Sequence, residues 1–301
     1  MAFSSFAQIT LNGLLTGGIF ALIAMGLTLV FGVMDVVNFA HGAFVMLAMY
    51  LTFVLAKVAG IDPFLAILVV TPVFFVFGVV TERLVISPIL DKSMFAQVFA
   101  TLGLLWIFTN GADFIFGSAP RSISTGYTGI TLGGIAIEEV RLYGFVIAIV
   151  TTTLLYLFLY RTKTGLAIRA TAQSKELARP FGVNVSYIYM LTFGIAIALV
   201  GIAGSVSAAT RPTTPNVANF FVLISFVIVT LGGLGNVTGA FLAGLFIGIV
   251  NAWVGFYLSS ELAPPIYFTI FIMVLVLRST GRFDELLYRI NAALGTGGMS
   301  H

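Results

Sequence analysis

Asp35, Asn38 and His41 stand close together between Gly32 and Gly42, in a chain whose flanking stretches are almost wholly apolar. Two ionisable groups with an amide between them can serve as a proton relay or as the polar wall of a path. A charge at the centre of a bilayer costs at least about 2.5 kcal/mol and is kept there only beside a partner or a cavity. Asn38 and His41, three residues apart, share a face if the stretch is helical. A hydrated turn at the membrane surface is the simpler reading of Asp35 and His41, since the break falls where two spans must be joined. Asn12, Asn110 and Asp113 are further polar residues in or near apolar segments. Interhelical hydrogen bonds worth about 0.6 kcal/mol each explain them without a functional role. Asn12 also adjoins Gly13 in a Gly13-x-x-x-Gly17 pattern, which lets a second backbone approach closely.

A second cluster lies around Asn236, where Gly232, Gly233, Gly235 and Gly239 crowd an otherwise apolar run. Glycine in a helix interior costs about 1 kcal/mol against alanine, so these residues predict a broken or re-entrant stretch. Broken backbone at membrane depth is tolerated where it is buried or lines a cavity, and a pathway wall is the expectation here. The ladder that follows, Ala240, Gly244, Gly248 and Ala252, reads as a helix-packing face. HGAFVMLAMYL from His41 and TGAFLAGLFIGI from Thr238 echo one another. A duplicated half is one reading and coincidence in a chain rich in Gly, Ala and Phe the other.

Catalysis finds little footing. Cysteine is absent, which removes disulfides, thiolate nucleophiles and zinc-thiolate sites. None of the lysines follows a glycine, so there is no phosphate loop, and no His-Glu-x-x-His occurs.

The elements that must position these residues are set by composition. The 301 residues are 59% hydrophobic and 8% charged, with a mean hydropathy of +1.12. That balance excludes a soluble single core and predicts an all-α, polytopic membrane bundle. The apolar runs are continuous rather than alternating, which argues against an outer-membrane barrel. Two spans fit between Gln8 and Ala56, and further segments follow at 63–81, 94–116, 142–160, 187–209, 220–234, 240–258 and 264–277. The expectation is eight to ten segments, two of them short. The first basic residue is Lys57, so the apolar start is expected to remain as a membrane helix. Residues 118–139 and 211–219 have loop composition.

Residues 161–186 carry Arg161, Lys163, Arg169, Lys175 and Arg179, and the positive-inside rule makes this loop cytoplasmic. The same rule puts Arg83, Lys92, Arg278, Arg282, Arg289 and the C-terminus inside, with Lys57, Arg121, Arg141 and Arg211 outside. The net charge of +3 gives no evidence for nucleic acid, and membrane lipid is the expected surrounding.

Glu176-Leu177-Ala178-Arg179-Pro180-Phe181-Gly182 resembles the Glu-Ala-Ala-x-x-x-Gly signature of ATP-binding-cassette importer permeases, departing from it at Leu177. With TGLAIRATAQSKELARPFGVNV around it, GLTLVFGVMDVVNFAHGAFVMLAMY before it and GGLGNVTGAFLAGL after it, the chain resembles the H-type permeases that import branched-chain amino acids. The resemblance runs from about Thr10 to Leu277. It implies one transmembrane permease domain over residues 1–301, with 161–186 as the loop that couples to an ATPase through Arg169, Lys175, Glu176, Ala178, Arg179 and Gly182. It also implies a heterodimer with a related M-type permease, two cytoplasmic ATPases, a periplasmic binding protein and residence in the bacterial inner membrane. No cofactor is expected in this chain, ATP and magnesium belonging to the ATPases. The expected cargo is leucine, isoleucine and valine, with urea, short amides or other amino acids as alternatives. Asn12, Asn38, His41, Gly42, Gly235, Asn236 and Gly239 are the expected pathway residues. An ion-coupled transporter using Asp35, His41 and Asp113 is the rival reading.

Overall fold

Uninterrupted apolar sequence makes long helices, and small residues decide how closely they approach. The computed structural model describes residues 2–132 and 135–279. In order these form α1 (Ala2–Met34), α2 (His41–Ala59), α3 (Pro63–Thr81), α4 (Met94–Phe116), β1 (Gly129–Leu132), β2 (Ile135–Glu138), α5 (Glu139–Arg161), α6 (Lys163–Gln173), α7 (Lys175–Ala178), α8 (Val185–Thr210), α9 (Val217–Gly232), α10 (Val237–Tyr257) and α11 (Ala263–Ser279). Among the described residues seven helices are long and apolar enough to span a membrane (α1 to α5, α8 and α10), while α9 and α11 are apolar but shorter. The total agrees with the expected eight to ten. Arg282, Arg289 and the C-terminus lie outside the described residues.

The α5 helix, about 34 Å long at 1.5 Å per residue, fixes the two ends of the molecule. At its start sits the antiparallel β1–β2 hairpin, with Gly129 opposite Glu138. At its end the chain turns directly into α6. Tyr127, ahead of the hairpin, donates to Asp62 Oδ2 at 2.9 Å, and that bond, more than desolvation, raises the phenol above its ordinary pKa.

The most buried span, α1, is the axis of the bundle. Its Gly13 and Gly17 face Gly244, Gly248 and Ala252 of α10, and a Cβ on Gly13 would come within 2.7 Å of the Ile249 backbone. The two small-residue patterns read from sequence are therefore the two sides of one contact. On the other side of the bundle α8 packs along α3 in the same manner, with Gly194 and Gly201 against Val79, Phe75 and Phe74.

These contacts belong to a repeated plan. The pairs α1–α10, α2–α3, α2–α4 and α2–α8 recur as α8–α3, α9–α10, α9–α11 and α9–α1. Helices α1 to α4 and α8 to α11 are thus two halves of one design, run in opposite directions through the bundle, the pattern of an inverted repeat. In this plan α2 matches α9 and α3 matches α10. The echo at His41 and Thr238 falls on α2 and α10, so it does not mark the repeat.

Each half contains a non-helical return. After Met34 the chain turns at Asp35, which is exposed and has φ +55°, and runs back alongside α1 before α2 begins at His41. His41 meets the carbonyl of Ile23, and from Ile23 to Met34 is about 16 Å of helix. So α2 starts deep inside the bundle. After Thr210 the chain turns back in the same way, and α9 starts where the Ala218 carbonyl and the Val222 amide abut Gly42. The amino termini of α2 and α9 meet inside the protein.

The Gly232–Gly239 stretch departs from its expectation. It is a tight turn joining α9 to α10, with φ +96° at Gly233 and +80° at Gly235, and Leu234, Gly235 and Asn236 are exposed. Gly235 rests on Gly32 near the end of α1. That places it at the α6 end of the bundle rather than at its mid-depth. Gly233 and Gly235 serve positive φ angles that other residues rarely adopt, and the helix cost ends α9 instead of breaking it midway.

Candidate functional site

The return from Asp35 to His41 is built from residues that must hide their backbone without a helix. Val36, Asn38, Ala40 and His41 are all 0% exposed. The side-chain oxygen of Asn38 accepts from the Ala40 amide at 3.1 Å, and its carbonyl accepts from the His41 amide at 3.3 Å. Thr101 of α4 donates from Oγ1 to the Val37 carbonyl at 3.2 Å. Buried backbone needs such partners, and here a neighbouring helix supplies one. His41 donates from Nε2 to the Ile23 carbonyl at 2.8 Å. A carbonyl accepts only from a protonated nitrogen, so Nδ1 is left as an acceptor.

Two polar atoms of this segment, Asn38 Nδ2 and His41 Nδ1, are buried and have no hydrogen-bond partner among the described residues. Thr28 Oγ1 of α1 and Thr192 Oγ1 of α8 share that condition. Buried polar atoms are rarely left unmet, so Asn38 Nδ2 and His41 Nδ1 each call for a water or another polar partner. The hydrated surface turn read from sequence holds for Asp35 and fails for His41. The ring is enclosed because the chain doubles back, with Gly26 of α1 giving it room.

The other predicted pathway residues are dispersed. Asn12 lies half-buried on α1 beside the α10 contact, its Oδ1 unmet. Gly42 joins the central site, where any side chain would strike the Ala218 carbonyl. Asn236 caps α10 by accepting from the Gly239 amide at 2.9 Å, and with Gly235 and Gly239 sits at the α6 end.

At that end, 163–182 forms a compact knuckle. Thr162 caps α6 by accepting from the Gly165 amide at 2.9 Å, and Ser174 caps α7 by accepting from the Leu177 amide at 3.2 Å. Gly182, with φ +81°, closes the turn after Phe181. Lys175, Glu176, Arg179 and Gly182 are exposed, Ala178 is buried beneath them, and Leu177 and Phe181 project 70% and 86% exposed. Those two flank a groove of about 460 Å³ along α6 and α7. Arg169 behaves differently from the other predicted coupling residues. Its Nε donates to the Leu159 carbonyl at 3.0 Å and its guanidinium lies over the Tyr160 ring at 4.6 Å, so it clamps α6 onto α5.

The knuckle and the return share a neighbour. A cavity of about 380 Å³ is walled by Phe31 to Asp35 on one side and Thr171 to Lys175 on the other. The end of α1, where the return begins, thus adjoins α6. Sequence reasoning missed Thr101, whose hydroxyl is an ordinary helix feature until the return passes it. It also missed the 211–216 return, whose prolines and Asn216 look like any extramembrane loop.

The sequence profile of the family described as "Branched-chain amino acid transport system / permease component" matches residues 9–279. The chain is 28% identical over 294 residues to the high-affinity branched-chain amino acid transport system permease protein BraD of Pseudomonas aeruginosa, across 92% of this chain and 95% of that one. It is 26% identical over 297 residues to the high-affinity branched-chain amino acid transport system permease protein LivH of Escherichia coli K12, across 93% and 96%. To the probable branched-chain amino acid transport permease protein LivH of Methanocaldococcus jannaschii it is 27% identical over 261 residues, across 83% and 81%. No solved structure matches.

Proposed function

Because this chain belongs to the family of branched-chain amino acid transport system permease components, we propose that it moves leucine, isoleucine and valine across the bacterial inner membrane as the H-type half of a permease pair. The pair takes its energy from two cytoplasmic ATPases and its cargo from a periplasmic binding protein. The chain is not an enzyme; ATP and magnesium act on the ATPases. The observation that carries this reading is the knuckle of α6 and α7, with exposed Leu177 and Phe181 on a basic surface and a direct wall against the end of α1. It supports a cytoplasmic side for residues 161–186, by the positive-inside rule.

In this mechanism closure of the ATPases pushes the knuckle, α6 presses the end of α1, and the turn at Asp35 passes the movement to the return and to His41. Asn38, His41 and Gly42 then form part of the polar path, with Nδ2 of Asn38 and Nδ1 of His41 meeting water or cargo. Asn12 lies on the opposite half of α1, and Gly235, Asn236 and Gly239 form the exit turn beside the knuckle. Lys175, Glu176, Arg179 and Gly182 make the ATPase contact, Ala178 supports them, and Arg169 holds α6 in place.

The test is a mild-detergent pull-down of tagged chain from its native membrane, with co-purifying subunits identified. Two ATPases and a second permease are the expected company. Recovery of the chain alone, still transporting in vesicles without ATP, would overturn the reading in favour of an ion-coupled carrier.

A further inference from the structure

A cavity of about 360 Å³ opens at the end of the bundle opposite α6, between α1, α8, α10 and the start of α9. Two arginines, Arg141 and Arg211, line it, and none of the lining residues is acidic. Arg141 is paired, its Nε lying 2.7 Å from Glu138 Oε2. The ion pair at this end joins Arg141 to Glu138 and leaves out Arg211, whose guanidinium faces the cavity. Arg211 is half-buried, and its guanidinium stands over the rings of Phe220 at 4.8 Å, Phe221 at 5.3 Å and Phe20 at 5.8 Å. Ring faces attract a cation but leave its five N–H groups without acceptors.

The remaining polar groups are sorted by what they have left to offer. Asn251 Oδ1 accepts from the Tyr267 hydroxyl, which leaves the Asn251 amide nitrogen as a donor. Ser207 and Thr210 donate to the carbonyls of Ala203 and Ser207 within α8, which leaves their oxygens as acceptors. The amino terminus of α9, at Val217, also borders the cavity and adds the positive end of its dipole. Donors and positive charge thus gather at Arg211 and Asn251, acceptors at Ser207 and Thr210, with Ile19, Phe221 and Val217 as apolar wall.

We propose that this cavity binds a free apolar α-amino acid, its carboxylate on Arg211 and Asn251, its ammonium on the hydroxyl oxygens of Ser207 and Thr210, and its side chain against Ile19 and Phe221. The site rests on the amino-acid permease reading and adds to it a first station for cargo on the face away from the ATPases. The shared chemistry is a carboxylate, and a recessed cavity with an apolar wall favours a small molecule over an acidic side chain of a docking protein.

The experiment is calorimetric titration of the purified membrane complex, free of any soluble binding protein, with leucine, 4-methylpentanoate and leucinamide. Leucine binds, 4-methylpentanoate binds more weakly, and leucinamide does not bind detectably. Arg211→Gln weakens leucine by at least about tenfold, which is about 1.4 kcal/mol, and Arg211→Lys recovers part of it. Arg211→Leu loses leucine while its melting temperature stays level or rises, because a half-buried charge without an anionic partner has been removed. Equal binding of leucine and leucinamide overturns the proposal, as does undiminished leucine binding by Arg211→Gln. Loss of melting temperature in Arg211→Leu assigns the residue a structural role instead. Loss of subunit association with leucine binding intact assigns the carboxylate to a partner protein. A wild-type complex lacking ATPases would overturn the importer and leave these titrations to stand or fall by themselves.

Discussion

His41 is held so that one ring nitrogen is spent on the Ile23 carbonyl and the other is left unmet. His41→Ala opens a void and removes the free acceptor, and leucine uptake is expected to fall by at least about tenfold with membrane insertion retained. Asp35 gives the opposite expectation. Its carboxylate is exposed and its φ of +55° is a value that asparagine adopts readily. Asp35→Asn should therefore keep uptake within about twofold, whereas Asp35→Val, strained at that φ, should lower it and the yield of folded protein. Abolition of uptake by Asp35→Asn would point to a proton relay. The types of these residues and their spacing were legible in the sequence. Their enclosure was not, because it depends on a chain reversal that places His41 beside a residue eighteen positions earlier.

At the scale of elements, glycine contacts fix the bundle and caps fix the knuckle. Gly17→Val pushes a branched side chain into the Leu245 backbone, and overpacking of this kind costs about 1 to 3 kcal/mol. A thermal-shift measurement in detergent should register that loss, and Gly103→Val, at a position with open space around it, should not. Leu177→Asp and Phe181→Asp change side chains that are mostly exposed. They should leave melting unchanged and remove ATPase co-purification. The small-residue ladders were legible because four-residue spacing makes a stripe on any helix. The Gly232–Gly239 stretch was misplaced in depth. Four glycines say that a helix stops, and only the length of α9 says where.

For the whole molecule, the two opposed halves meet at the amino termini of α2 and α9, with the unmet atoms of Asn38 and His41 beside that meeting and an arginine-lined cavity above it. The class of the fold was plain from composition, whereas the basic residues of 161–186 gave an expected side of the membrane and not the fold of the knuckle. The inverted plan was not, because the halves share packing rather than residues, and the one visible echo joined helices that do not correspond.

The most direct test of coupling through the knuckle is leucine accumulation by proteoliposomes that hold the co-purified complex and its binding protein, measured with and without ATP, for the wild type and Gly182→Trp. Gly182 has φ +81° and open space around it, so the change distorts the knuckle's surface without striking the bundle. Accumulation should require ATP in the wild type and vanish in the variant while the chain stays inserted and folded. Equal accumulation by the two proteins, or accumulation that ignores ATP, would contradict the account.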